Sequence, residues 1–225
     1  MDVYEERRSF RDRDEAGRLL AERLTGFRGA DVVVLAVPRG GVPVASRVAE
    51  HLGAALDVVV TRKIPIPGNP EAGYGAVTED GAIVLNEPLV ERLALTEARI
   101  QRQAEQVRAE IIRRAAIFRG ELPTTSVDGR TAIIVDDGLA SGFTMLAAIR
   151  SAQQRGAITT VVAVPVASGS AYDLVKPLVD ELVALVVART DWFAVASYYL
   201  HWHDLTDAEV LQYLESWAKR HDSGH

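Results

Sequence analysis

The chain contains no cysteine, so disulfides and thiolate chemistry are excluded and a reducing compartment fits. It has no surplus of positive charge. Its 25 Lys and Arg stand against 31 Asp and Glu, for a net charge of −6. That balance argues against nucleic acid as a partner, although a local basic cleft can still bind a small polyanion. No uninterrupted apolar run is long enough to cross a bilayer. The opening residues, Met1 to Arg8, lack the apolar segment of a secretory signal. The expectation is a cytoplasmic protein without a membrane partner. Histidines number only five, and His201-Trp202-His203 lacks a third spaced ligand for a metal. No internal repeat and no low-complexity linker divides the sequence. What remains is an ordinary globular composition, 48% hydrophobic and 25% charged over 225 residues. That length buries a core without staples and predicts one domain, residues 1–225.

Three common nucleotide or hydrolase motifs are also missing. Gly142 is followed by Phe143 and Thr144, with no lysine to make a P-loop. Arg39-Gly40-Gly41 is not the dinucleotide fingerprint, and Gly138-Leu139-Ala140-Ser141-Gly142 is not a hydrolase elbow.

The elements alternate. Arg11 to Leu24 has apolar residues at helical spacing, and Asp31 to Val37 is a short β-branched run that reads as a buried strand. Pro38 to Gly41 breaks it, and a helix to Leu52 and a strand Leu56 to Val60 complete a βαβ unit. Thr61 to Gly75 carries three prolines and three glycines and reads as a long loop, of the kind that serves as a functional lid. Short strands are expected between Ala76 and Leu85, around the Glu79-Asp80-Gly81 turn. Thr96 to Phe118 predicts one long helix with the stripe Ile100, Ala104, Val107, Ile111, Ala115 and Phe118. Its arginines are the wet face, and Glu110 and Arg114 suit an i,i+4 pair. Thr159 to Val164 is a strand expected to stop at Pro165, and Glu181 to Val187 a further strand. The tail is aromatic (Trp192, Phe193, Tyr198, Tyr199, Trp202), and Thr206 caps a last helix from Asp207 to Lys219. The fold class is α/β: an open, mostly parallel five-stranded sheet flanked by helices. The core spans about residues 31–187, with the accessory helix 96–118 and the tail 190–219 outside it.

The chain is organised around Thr131 to Met145. A buried strand, Ala132 to Val135, ends in two adjacent carboxylates, Asp136 and Asp137; a small-residue loop and a helix start follow. Ligands of open α/β sheets bind at the carboxyl ends of strands, and a loop opening a helix offers backbone N–H groups to an anion. That layout suits a ribose and a phosphate.

Val135 to Met145 resembles the phosphoribosyl-pyrophosphate signature of type I phosphoribosyltransferases: apolar strand, two acids, and a loop ending Thr-Gly-x-Thr. Pro38-Arg39-Gly40-Gly41 resembles that family's pyrophosphate loop, and Arg62-Lys63 its mobile catalytic loop. The resemblance implies a transferase that moves phosphoribose from the pyrophosphate donor to a nitrogenous base. Asp136 and Asp137 would take the ribose hydroxyls and hold Mg²⁺ through water. Ala140, Ser141, Gly142, Phe143 and Thr144 would wrap the 5′-phosphate. Arg39, Gly40 and Gly41 would receive the pyrophosphate, and Arg62 and Lys63 would close over it. Phe193 or Trp192 would stack on the base. The hood that reads the base would be the N-terminal helix, residues 68–74 and the aromatic tail. Ser141 stands where threonine is usual, and Phe143 where a small or polar residue is. Ala140 replaces the aspartate of 6-oxopurine enzymes. The resemblance also implies a homodimer, for which the stripe on Ile100 to Phe118 offers a surface. The alternative from another class is a sensor that keeps the donor site without catalysis and binds RNA or a protein through the Arg-rich helix. A third is an enzyme acting on another phosphoribosyl compound.

Overall fold

A computed structural model describes residues 9–120 and 125–222. The segment 1–8, on which the leader reading rests, and the chain end at 223–225 lie outside the described residues. The elements are α1 (Arg13–Arg23), β1 (Val32–Ala36), α2 (Gly41–Leu52), β2 (Ala55–Val58), β3 (Thr61–Ile66), β4 (Asn69–Thr78), β5 (Ile83–Leu85), α3 (Glu87–Arg92), α4 (Glu97–Arg119), β6 (Thr131–Val135), α5 (Phe143–Gln154), β7 (Thr159–Ser168), α6 (Gly169–Val175), β8 (Glu181–Ala188) and α7 (Asp207–Asp222). Five strands form one sheet in the order β2-β1-β6-β7-β8, every pairing parallel. This is the expected α/β architecture.

The sheet is covered on both faces, which is why its strands are apolar throughout rather than alternating. Val32, Val34 and Ala36 of β1 pack into a core with α2, α4 and α7. Val33, Leu35 and Val37 pack with Met145, Ala148 and Ile149 of α5. No helix among the described residues is long and apolar enough to cross a membrane.

Four expectations change. Thr61 to Gly75 is not a loop: β3 and β4 form an antiparallel hairpin, extended by β5 into a second, three-stranded sheet. Pro65 sits where the register shifts, the place a strand tolerates proline. At Gly75 an added Cβ would lie 2.5 Å from the Val84 carbonyl oxygen, so only glycine admits the β5 backbone there. The hairpin is also tied down. Tyr74 Oη donates to Gln103 of α4 at 3.0 Å, and Arg108 Nε to the Glu79 carbonyl at 2.9 Å. Arg119 grips the Glu79 carboxylate, Asp57 of β2 and the Val58 carbonyl together.

Second, β7 passes through Pro165 to Ser168. Its regular neighbour β6 ends opposite Ala163, and the pairing with β8 skips proline, from Val164 to Val166. Third, Glu110 pairs with Arg62 and Arg114 with Asp207, not with each other. Arg99, Arg102 and Arg113 are exposed, as the wet-face reading has it, whereas Arg108 and Arg119 are spent on the hairpin. Fourth, the α4 stripe offers no surface to a second copy. Ile100, Ala104, Ile111, Ala115 and Phe118 are buried within the chain's own core.

Candidate active site

β1 and β6 are adjacent and in register, with Ala36 opposite Val135. The chain therefore leaves both strands side by side at the carboxyl edge of the sheet. Val37 N–H donates to the Val135 carbonyl at 2.9 Å, carrying the pairing one step beyond the strands. The Pro38–Arg39 peptide is cis. Gly40 then lies directly on the acid pair. An added Cβ at Gly40 would overlap the Asp137 carboxylate, standing 2.9 Å from its Oδ1 and closer still to Oδ2. At Gly41 it would stand 2.6 Å from the Val135 carbonyl oxygen and 2.9 Å from the Asp136 Cα. Gly40 is thus required by the Asp137 carboxylate and Gly41 by the backbone at Val135 and Asp136, and α2 opens at that contact.

The acids face one another. Asp137 N–H donates to Asp136 Oδ1 at 2.8 Å. Burial, then the neighbouring Asp137 charge, pushes the Asp136 carboxyl well above the usual carboxylate range. Burial also raises Asp137, but the Arg13 guanidinium opposes it. Arg13 Nε donates to Asp137 Oδ2 at 2.8 Å and its Nη1 to the His203 carbonyl at 2.9 Å. Its Cζ lies 3.8 Å from the Trp202 ring centroid. Tyr199 Oη donates to the Asp137 carbonyl at 2.6 Å. Burial, with the Asp137 charge adding to it, pushes that phenol well up.

The loop after the acids is pinned to the next strand. Leu139 N–H donates to Val166 and Ser168 N–H to Leu139, both at 2.8 Å, and Ser168 Oγ donates to the Ala140 carbonyl at 2.7 Å. Beyond Pro165, β7 thus has β8 on one side and this loop on the other. Gly142 closes the loop with φ +84, a left-handed conformation glycine adopts at no cost. It has no side chain to cap α5, so first-turn N–H groups and the positive helix end are turned toward the loop.

Two cavities flank this loop. One of about 560 Å³ is lined by Ser141, Ser168, Ser170, Arg189, Asp191 and Phe193. The other, of about 390 Å³, lies between hairpin, α4 and α5, and is lined by Thr61, Arg62, Lys63, Glu110 and Thr144. Arg62 and Lys63 therefore reach the helix that follows the acid pair, from a strand rather than a loop. Phe193 lines the first cavity and packs 5.5 Å from the Tyr198 ring. Trp192 does not share that position: it is 73% exposed. Arg39 lies at the acid pair's side of α2 and forms a 3.7 Å pair with Asp207.

Sequence reasoning missed Arg13, and it named Tyr199 and Trp202 as part of the aromatic tail without placing them at the acid pair. Arg13 did leave a signal. It stands with Ala16, Gly17, Leu20, Ala21 and Leu24 on the buried stripe of α1, and a charged residue on an apolar stripe needs a partner.

Carboxylates are hard oxygen donors, and Mg²⁺ is held through one or two of them with water and substrate phosphates completing the shell. Asp136 and Asp137 fit that donor set. Among the described residues no group of three or more acidic or histidine side chains is placed to hold a metal ion.

Comparison with known proteins places the chain in a family. The phosphoribosyl transferase domain family matches residues 11–201. Among curated relatives, a Mycobacterium tuberculosis protein from strains H37Rv and CDC 1551, whose phosphoribosyl transferase name is provisional, is 41% identical over 206 residues. The match covers 92% of this chain and 46% of that protein, so the chain spans about half the length of the curated relatives it matches. Among solved structures, the Thermus thermophilus protein TT1426 is 43% identical, with a TM-score of 0.79 over 93% of this chain and 99% of that one. The chain belongs to the phosphoribosyl transferase family.

Proposed function

We propose that this chain is a Mg²⁺-dependent phosphoribosyltransferase that joins a nitrogenous base to C1 of phosphoribosyl pyrophosphate, inverting at C1 and releasing pyrophosphate. The observation that carries the reading is the meeting of three segments at one sheet edge. The Arg39-Gly40-Gly41 turn lies against the Asp136–Asp137 pair, and the uncapped start of α5 follows behind Gly142.

In this reaction the C1–O bond to pyrophosphate breaks as the base nitrogen supplies the new pair to C1. Pyrophosphate takes the electrons of the broken bond, and the nitrogen's proton leaves to solvent. The ribose passes through an oxocarbenium-like state, as glycosyl transfers do. Asp136 and Asp137 hold the ribose hydroxyls and set preorganised carboxyl oxygens against that cation. Mg²⁺, when bound through them, neutralises charge on the pyrophosphate and makes it a better leaving group. Arg39, Gly40 and Gly41 receive the pyrophosphate; Ala140 to Thr144 receive the 5′-phosphate at the start of α5. Arg62 and Lys63 add positive charge from the hairpin side. The cavity beside Ser141 and Phe193 is the acceptor side, with Phe193 rather than Trp192 available for stacking. Ala140 stands where 6-oxopurine enzymes place an aspartate, which argues for another class of base; the carboxylate that lines this cavity is that of Asp191.

A screen of purines, pyrimidines and other ring nitrogens for donor-dependent pyrophosphate release tests the proposal. At least one base should give release that is abolished by chelating the metal. No release with any base, in protein that also fails to bind the donor, overturns it.

A further inference from the structure

Arg13 has no part in the chemistry just described, yet it is only 7% exposed and stands 124 residues from its partner in the chain. We propose that Arg13 is the positioning residue of the acid pair: it fixes Asp137 in one orientation, so that the ribose and its ion meet a preset carboxylate. The inference rests on the reading of Asp136 and Asp137 as the donor's acid pair.

The geometry restrains Asp137 at both ends. Its side chain lies between the Arg13 Nε, at 2.8 Å, and the Gly40 backbone. Its carbonyl accepts the Tyr199 hydroxyl at 2.6 Å. Arg13 is itself held in place. Its second nitrogen is anchored on the His203 carbonyl, and its plane lies against Trp202, whose ring packs on Tyr199 at 5.2 Å. Residues from α1 and from the segment before α7 thus converge on one residue, Asp137, directly or through Arg13. Asp136, by contrast, has no ion-pair partner among the described residues and accepts the Asp137 N–H. The two acids are unequal: Asp137 is paired with a guanidinium, and Asp136 accepts a backbone N–H.

Stability alone gives no reason for this arrangement. A buried ion pair is often neutral or worse than apolar residues of the same volume. The remaining stripe of α1, Ala16, Leu20 and Leu24, shows that a leucine-like side chain suits the helix. What a guanidinium supplies there, and a leucine cannot, is one N–H for the carboxylate and a second, in fixed relation to it, for the His203 carbonyl. Groups that orient a ligating side chain typically matter by about 10- to 100-fold in affinity or turnover.

The test compares wild type with Arg13→Gln, Arg13→Lys and Trp202→Leu. Three quantities are read: donor binding with Mg²⁺ by calorimetry without acceptor, kcat against donor KM with a productive base, and the melting temperature. Arg13→Gln should weaken donor binding and lower kcat, each by about 10-fold or more. Arg13→Lys, which keeps the charge but loses the second, fixed N–H, should recover part of both; Trp202→Leu should fall in the same direction by less. Binding and kcat within about twofold of wild type in Arg13→Gln, with only the melting temperature lowered, overturn the inference. If Arg13→Gln does not fold, wild-type values in both Arg13→Lys and Trp202→Leu overturn it equally. Asp136→Asn separates the two levels. Full turnover there removes the acid-pair reading itself, whereas its loss beside a normal Arg13→Gln removes only the role of Arg13.

Discussion

Gly40→Ala isolates the contact on which the site depends. Gly40 has φ −61 and ψ −31, an ordinary right-handed conformation that alanine adopts without strain. Replacing glycine at such a position ordinarily stabilises a protein by about 0.4–1 kcal/mol, through the unfolded chain. Here the new methyl would overlap the Asp137 carboxylate, where 3.4–4 Å is ordinary contact. Either the acid or the turn must move by about 1 Å or more, and overpacking of this kind costs about 1–3 kcal/mol. The clash wins, and the melting temperature should fall by about 2–6 °C in a chain of this size. The effect on function should be larger than the effect on stability. A displacement of about 1 Å in reacting groups costs about 100-fold. Gly26→Ala is the control, since nothing lies within 4 Å of its added Cβ. The assays are thermal melts with and without donor and Mg²⁺, followed by pyrophosphate release. Donor at about 100 times its Kd should stabilise wild type by about 2.7 kcal/mol, and that gain should vanish in Gly40→Ala while Gly26→Ala keeps it. A Gly40→Ala protein with wild-type donor stabilisation and turnover would refute the reasoning.

Other outcomes follow from the same structure. Arg119→Met removes the cation shared by Asp57 and Glu79, leaving buried Asp57 with Arg155 at 3.7 Å; urea unfolding should show a loss of about 3 kcal/mol, and an unchanged midpoint would contradict the clamp. Glu209 caps α7 by accepting from Thr206 N–H and Oγ1, and these bonds with the His203 contact lower its carboxyl from 4.5 to about 2. A depressed folded-state value stabilises the protein above the unfolded value, and the contribution is lost as pH falls from about 4.5 toward 2. Glu209→Gln should therefore be less stable than wild type at neutral pH and converge with it near pH 2; parallel curves would contradict the cap. Asp137→Asn should lower stability more than Asp136→Asn, because only Asp137 answers the buried Arg13 guanidinium, and equal melts for the two would contradict that.

The five parallel strands were legible because a strand covered on both faces is apolar at every position, as Val32 to Ala36 and Ala132 to Val135 are. The hairpin was not. Its prolines and glycines read as a loop because a bulged edge tolerates Pro65 and a close strand crossing demands Gly75, and neither fact is local to the sequence. Pro165 misled in the same way: a strand's end depends on its neighbours, and here Leu139 pairs with Ala167 beyond the proline. At the candidate site, Asp136, Asp137 and Gly142 announced themselves by spacing. Gly40 was readable as a turn, but its contact with Asp137 joins segments about a hundred residues apart in the chain. Arg13 and Tyr199 reach the acid pair from the two ends of the sequence, and no local pattern reports that meeting.

The central claim is that Asp136 works in a pyrophosphate-donor site. Asp136→Asn keeps an oxygen to accept the Asp137 N–H and leaves the Arg13 pair intact, so it tests chemistry with little disturbance of the fold. The decisive measurement is metal-dependent pyrophosphate release from the phosphoribosyl donor, with an active base, by wild type and by Asp136→Asn at equal folded fraction. The account predicts release by wild type and a loss of at least about 100-fold in the variant. Equal release by the two proteins would contradict it.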